Sequence, residues 1–199
     1  MQIWFSSDSH FGHENLWRKF TTPCPDCQFI GQGRWNAGDE YCPYCQGTGK
    51  IPARPFTSTN EMDELMIEKW NAVVKPSDHA YHLGDVAMKK PYLQLVRRLN
   101  GHKRLILGNH DIFKVEDYMA VGFEKICAVR VLDNILFTHI PVHPFSLGRF
   151  AANGHGHTHS AQPYPRVEGK GPYINLCVEQ TGYAPVSLEW VKAKVKEIG

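Results

Sequence analysis

The chain of 199 residues has no apolar run approaching the roughly 18 residues that cross a bilayer, and its opening, Met1-Gln2-Ile3-Trp4-Phe5, has neither the basic stretch nor the long apolar core of a secretory signal. The expectation is a cytoplasmic protein with no membrane partner. An excess of charge is missing too: 22 Lys and Arg against 20 Asp and Glu leave a formal net charge of +2, so bulk electrostatics give no reason to expect nucleic acid or a membrane surface. Internal repeats and low-complexity tails are absent, which excludes solenoids and interaction tails. With 42% hydrophobic and 21% charged residues, the composition fits one ordinary globular domain with room for a small insert.

Residues 21–53 are the part poorest in aliphatic side chains. They hold Pro23, Pro25, Pro43 and Pro52, five glycines, and four of the six cysteines, so they need something other than a conventional core to hold them together. Histidine, by contrast, is plentiful, with 11 in the chain.

Elsewhere the patterns alternate between strand and helix. Residues 2–7 read as a buried strand that delivers Asp8-Ser9-His10 at its end. Ser58-Thr59-Asn60-Glu61 fits a capping box, followed by Met62, Leu65, Met66, Trp70 and Val73 at helical spacing until Pro76. A strand at 79–83 ends at Gly84-Asp85. A helix at 91–100 follows, then a strand at 105–107 that ends at Gly108-Asn109-His110-Asp111. After a short helix at 115–121, strands are expected at 125–132 and 135–138 around an Asp133-Asn134 turn, and again at 173–178 and 186–190. The order implies an α/β protein, a layered sandwich rather than a repeating βαβ fold.

The polar clusters Asp8-x-His10, Gly84-Asp85, Gly108-Asn109-His110-Asp111, Thr138-His139 and Gly156-His157-x-His159 each follow a stiff apolar segment or a glycine. One histidine at a strand end is ordinarily a surface or hydrogen-bonded residue. Five such clusters together suit a two-metal site, in which paired divalent ions clamp a phosphoryl group and acidify water. Mixed carboxylate and imidazole donors favour Mn, Fe, Zn, Ni or Co over Mg or Ca.

The order D-x-H, G-D, G-N-H-D, T-H, G-H-x-H is similar to that of the calcineurin-like metallophosphoesterases, and the 61–71 helix with Tyr81-His82-Leu83-Gly84-Asp85 resembles a compact bacterial and phage branch of that family. The resemblance covers the chain to about Phe20 and from Arg54 onward. It implies a sandwich of two mixed β-sheets flanked by helices. It implies that Asp8, His10 and His159 hold one metal, that Asn109, His139 and His157 hold the other, and that Asp85 bridges both. His110 would bind the phosphate or protonate the leaving oxygen, and Asp111 would orient His110. The nucleophile would be a metal-bridging hydroxide, in keeping with the lack of a Ser or Cys nucleophile beside a fixed base. Two divalent ions, two carboxylates and that hydroxide leave a site of about +1, suited to an anion. His13, within Phe11-Gly12-His13, is a candidate substrate-binding residue, and His143, His155 and Arg149 are candidates for the substrate mouth.

Cys24-Pro25-Asp26-Cys27 and Cys42-Pro43-Tyr44-Cys45 are separated by 14 residues and match a four-thiolate structural zinc site. A redox dithiol is the lesser alternative. The segment departs from the family pattern and resembles a zinc ribbon, giving a phosphoesterase domain of 1–20 and 54–199 with a zinc-ribbon-like insert of 21–53. Its own charge of −1 before metal makes it a poor tracker of a phosphate backbone. Cys127 and Cys177 read as buried apolar residues. The functional expectation is a dinuclear metal-dependent hydrolase of phosphate esters, diesters favoured, acting on a substrate that includes nucleotides or nucleic acid among its candidates. The alternatives are a phosphomonoesterase or nucleotidase, and a nuclease or nucleic-acid-binding adaptor that uses the ribbon. A scaffold without metals is disfavoured because every ligand position is filled.

Overall fold

The computed structural model describes residues 1–24, 42, 45–159 and 171–198. In chain order its elements are β1 (Ile3–Ser6), α1 (Asn15–Arg18), β2 (Thr21–Pro23), β3 (Lys50–Pro52), α2 (Thr59–Val73), β4 (His79–His82), a 3-10 helix (Lys90–Arg98), β5 (His102–Ile106), α3 (Val115–Ala120), β6 (Phe123–Cys127), β7 (Arg130–Leu132), β8 (Ile135–Phe137), α4 (Pro144–Leu147), β9 (Ala152–His155), β10 (Tyr173–Asn175), β11 (Val186–Ser187) and α5 (Leu188–Ile198). The chain divides into two compact units, one of Met1–Gly12 with Asp63–Gly199 and the other of His13–Met62.

In the first unit, a five-stranded sheet runs in the order β11-β1-β4-β5-β6, with only β11 antiparallel to its neighbour. A four-stranded sheet runs β10-β9-β8-β7, parallel except for the β7–β8 hairpin. Phe5, Tyr81 and Ile106 from the first sheet meet Ile135, Phe137, Ala152 and Ile174 from the second in one buried cluster, which Val191 of α5 joins. The Phe5 and Phe137 rings stack at 4.0 Å. This is the layered α/β sandwich of two mixed sheets with helices that was expected. Burying these aromatic and β-branched faces against each other, at roughly 1.5–3 kcal/mol per large side chain, holds the strand ends at fixed positions.

Several elements differ from the sequence expectation: no strand was expected at β9, and the one expected at 173–178 ends at Asn175. The segment expected as a helix at 91–100 is a 3-10 helix over Lys90–Arg98, whose buried residues Leu93 and Val96 stand three positions apart and align on one face at three residues per turn. The expected strand at 125–132 is two strands in different sheets. β6 pairs with β5 and β7 with β8, and the hairpin after β7 turns through Asp133 and Asn134, both at positive φ as a two-residue turn requires. The expected strand at 186–190 stops at Ser187, whose hydroxyl caps the Trp190 N–H at 3.1 Å and starts α5, with Leu188, Val191 and Val195 turned to the core.

In the second unit, β2 and β3 form an antiparallel ribbon with Thr22 opposite Ile51, bringing the two ends of the 21–53 segment together. Cys24, Cys42 and Cys45 are buried with Ile51 packed on them. The Ser58 hydroxyl accepts the Glu61 N–H at 3.1 Å, while the Glu61 carboxylate accepts from the Thr57 N–H and hydroxyl, one residue earlier than a capping box places it.

Candidate metal centre

Every strand that runs parallel in the two sheets, β6 excepted, hands a polar loop to the same region of the first unit. Asp8 and His10 follow β1, Asp85 follows β4, Asn109 and His110 follow β5, His139 follows β8, His157 and His159 follow β9, and Glu179 follows β10. Open α/β sheets place ligands at the carboxyl ends of their strands for this reason. The loops are also bonded to one another: Asp8 N–H donates to Gly84 O at 3.0 Å, His10 N–H to Asp85 O at 3.0 Å, and Gly156 N–H to His139 O at 2.8 Å.

The backbone is strained where the donors stand. Of the nine non-glycine residues at positive φ among those described, five are Asp8, His10, Asp85, His157 and His159. Such conformations cost of order 1–3 kcal/mol each and persist where the surroundings impose them, typically at functional sites. The glycines between them leave no room for a side chain. A Cβ on Gly108 would lie 2.2 Å from Asp85 Oδ1, one on Gly84 2.7 Å from His139 Nδ1, and one on Gly156 2.4 Å from Asp8 Oδ2.

Two sets of donors result. Asp8, His10 and His159 form one, Asp85, His139 and His157 the other, each with its donor atoms within 4.8 Å of one another. His10 joins the sets, its Nε2 lying 3.7 Å from Asp8 Oδ1 and 3.6 Å from Asp85 Oδ2. His139 Nε2 lies 3.4 Å from Asp85 Oδ2 and 2.9 Å from Asn109 Oδ1, which places Asn109 beside the second set. Burial would raise the Asp8 carboxyl, but the close approach of His10 and the charges of His159, His139 and His10 outweigh this and hold it well below the usual carboxylate range. Burial likewise opposes ionisation of Asp85, and the hydrogen bond and charge of His139 prevail and lower it. His139 is raised in return, its burial outweighed by Asp85 and Asp8. Two ionised carboxylates thus stand among imidazoles in a buried place.

The residues around the donors aim them. Asp8 Oδ2 accepts from the Ser7 hydroxyl at 2.5 Å, the His157 N–H at 2.9 Å and the Cys177 thiol at 3.2 Å, which turns Oδ1 toward His10 and His159. Burial and the nearby charges of Asp8 and Glu179 push the Cys177 thiol up, so it stays a neutral donor. His159 Nδ1 is bonded to Glu179 Oε1 at 2.8 Å and His139 Nδ1 to Leu83 O at 2.8 Å, so both rings present Nε2 to the site. Ser7, Cys177 and Glu179 were not among the sequence candidates. Only Glu179 left a signal, an acidic residue just past the expected 173–178 strand.

The roles expected of three residues need correction or placing. Asp111 does not orient His110: its carboxylate accepts the N–H groups of Asp85, Val86 and Gly108 at 2.7–3.0 Å and the Tyr118 hydroxyl at 3.4 Å, so it ties the Asp85 loop to the Gly108 loop. His110 is exposed, its ring 5.6 Å from that of His10, and its N–H is bonded to Asp85 Oδ1 at 2.8 Å. His155 lines no substrate mouth. It is buried, with Nδ1 on Gly156 O, and burial lowers its pKa. His13 opens the second unit, half-buried with its ring against Phe20.

The donor chemistry fits divalent transition cations. Each set combines one ionised carboxylate with two imidazoles, and the glycines leave the space between them clear. In the second unit, the sulfurs of Cys24, Cys42 and Cys45 lie within 4.8 Å of one another, with Cys24 and Cys42 Sγ 3.7 Å apart, which suits a thiolate-bound metal. Cys27 lies outside the described residues. The turn after Cys45 carries Gln46 and Gly47 at positive φ and bonds Gln46 N–H to Cys42 O at 2.7 Å.

No family model matches the chain. It is similar to the uncharacterized protein MJ1445 of Methanocaldococcus jannaschii, 28% identical over 196 residues that cover 96% of this chain and 89% of that one. Among solved structures it shares its fold with the protein of unknown function AQ665 from Aquifex aeolicus, at a TM-score of 0.56 and 22% identity over 96% of this chain and 98% of that one. A structure described as a novel archaeal phosphodiesterase aligns at a TM-score of 0.42 and 17% identity over 88% and 82% of the two chains. Among the described residues, no helix is long and apolar enough to cross a membrane.

Proposed function

We propose that this protein is a phosphoesterase of the calcineurin-like kind, dependent on two divalent transition-metal ions and acting on phosphodiesters. The observation that carries this reading is the convergence of two carboxylate and imidazole sets, joined at His10 and built from loops on both sheets. Asp8, His10 and His159 would hold one ion, Asn109, His139 and His157 the other, and Asp85 would lie between them. When bound, such ions supply Lewis acidity toward a phosphoryl oxygen and make water a usable nucleophile at neutral pH.

The chain's own residues do the rest. Asp8 and Asp85 stay ionised and offset the cationic charge, leaving a site that attracts an anionic ester without repelling it. Asp111 fixes the approach of the Asp85 and Gly108 loops through three backbone bonds. The exposed His110 ring, on a residue whose backbone N–H donates to Asp85 Oδ1, would contact the phosphoryl group and give a proton to the leaving oxygen. Cys24, Cys27, Cys42 and Cys45 would hold a structural zinc, which stabilises a 21–53 insert that has little apolar core.

The test is hydrolysis of bis(p-nitrophenyl) phosphate by the full chain supplied with Mn, Fe, Ni, Co or Zn. The expected outcome is metal-dependent turnover that falls at least about a hundredfold in His110→Gln, with metal content unchanged. Turnover that is independent of metal, or undiminished from wild type in His110→Gln and Asp85→Asn, would overturn the reading. Preference for p-nitrophenyl phosphate over the diester would leave a phosphomonoesterase.

A further inference from the structure

A cleft of about 480 Å³ in the first unit shares no lining residue with the metal centre, and its volume lies in the range that takes a small organic molecule. It is bounded by β4, β5, β6, α3 and the start of β7, so its walls come from both sheets. Its cationic lining is Arg104, Lys125 and Arg130, and its apolar lining includes Val115, Met119 and Val129, each 45–52% exposed. Large apolar groups that open to solvent around a concave surface are what a ligand with an apolar part would cover.

The charges there are not balanced from within. Glu124 is the acidic residue lining the cleft, and its carboxylate is bonded to His102 Nδ1 at 2.7 Å. Arg104 is held in place: one of its terminal N–H groups donates to the Tyr81 hydroxyl at 3.0 Å, and its guanidinium lies 5.3 Å from the centre of the Tyr81 ring. The Arg104 Nε–H is buried and has no acceptor among the described residues. A buried N–H of a guanidinium is costly to leave unmet, and the plane of that group is made for two-point contact with an oxyanion. Arg104 and Arg130 also act on one point, since both oppose the burial that raises the Cys127 thiol.

We propose that this cleft binds a small organic oxyanion, whose phosphate or carboxylate group is held by Arg104 and Arg130 and whose apolar part lies against Val115, Met119 and Val129. The site stands independently of the phosphoesterase reading, because it uses none of the metal-centre residues.

The experiment is titration calorimetry on the full chain with phenylphosphonate, benzoate and inorganic phosphate, repeated on Arg130→Gln, Arg104→Gln and Asp85→Asn. Arg130 is exposed and lies at a strand end, so Arg130→Gln remains folded if Arg104→Gln does not. The expected result is saturable binding of phenylphosphonate or benzoate, tighter than that of inorganic phosphate, weakened at least tenfold by Arg130→Gln and unchanged by Asp85→Asn. The stronger of the two aromatic probes identifies the head group as phosphate or carboxylate. No saturable binding of either at millimolar concentration, or binding kept in Arg130→Gln and lost in Asp85→Asn, would overturn the proposal.

Discussion

Around Asp8 and Asp85 the donors stand on loops leaving six strands packed over an aromatic core, whereas around Cys24 and Cys42 they stand beside a ribbon of two three-residue strands with Ile51 packed against the sulfurs. In the first region, backbone bonds between loops, strained residues and glycine gaps place carboxylates and imidazoles without help from an ion. In the second, Ile51 is the apolar side chain packed on the cysteine cluster among the described residues, and on the proposed reading a bound metal would supply the folding energy. On the proposed reading, one centre is built by the fold to receive its ions, and the other would be built by its ion.

The largest expected effect separates the two. Withdrawing zinc with a thiol-competing chelator, or replacing Cys24 and Cys42 by Ser, removes a contribution on the order of 10 kcal/mol from the second unit. Hydrogen exchange is expected to rise across 13–62 while β1, β4 and β5 keep their protection. Equal loss in both units would erase the contrast.

Changes inside the first centre test whether its geometry is imposed by packing. Gly108→Ala forces a Cβ to within 2.2 Å of Asp85 Oδ1 and 2.6 Å of Asp85 N, so the Asp85 loop has to move. We expect a loss of about 1–3 kcal/mol in chemical denaturation. Activity is expected to fall by more than the ~10–100-fold usual when only a supporting residue is removed. Retention of full activity would mean that the glycine gap is not needed.

His82 gives the first unit an acid sensitivity of its own. Burial holds its pKa at about 4, below the ordinary 6.5, with its ring bonded to the Ser9 hydroxyl at 2.9 Å. Between those values the unfolded chain takes up more protons than the folded one. Stability from a neutral His82 is therefore complete above pH 6.5, falls as the pH drops toward 4, and changes no further below. Urea titrations of metal-free wild type and His82→Gln should show a stability gap that closes by on the order of 3 kcal/mol across that window. A gap independent of pH would contradict the assignment.

The smallest effect concerns Glu179. Glu179→Gln keeps the shape but loses the charge that orients His159, so metal affinity should fall about tenfold with little change in thermal stability. Equilibrium dialysis against a metal buffer reads this directly, and unchanged affinity would mean that the strand ends alone fix the ring.

The sequence made Asp8, His10, Asp85, Asn109 and His139 legible because each follows a short strand read from its apolar residues, while His157 and His159, after the polar β9, stood out by the Gly156-His157-x-His159 pattern alone. What it concealed depended on partners distant in the chain. Cys177 looked like a core residue until the isolated pairing of Ser7 with Cys177 set its thiol on Asp8. Asp111 looked like a partner of its neighbour His110, but its carboxylate is taken up by backbone N–H groups 25 and 26 residues away in the chain. The 3-10 helix and α5 were hidden by periodicity: spacing of three passes for an α-helix in a short window, and Val186, Leu188 and Trp190 alternate like a strand although Trp190 is exposed.

The central claim, a two-ion centre independent of a cysteine-bound zinc, is tested most directly by elemental analysis of the intact chain and of a form with Cys24, Cys27, Cys42 and Cys45 all replaced by Ser. The account expects about three metal ions per intact chain and about two in the variant. A single ion that disappears with the cysteines, and a first unit that stays empty when Mn or Fe is supplied, would contradict it.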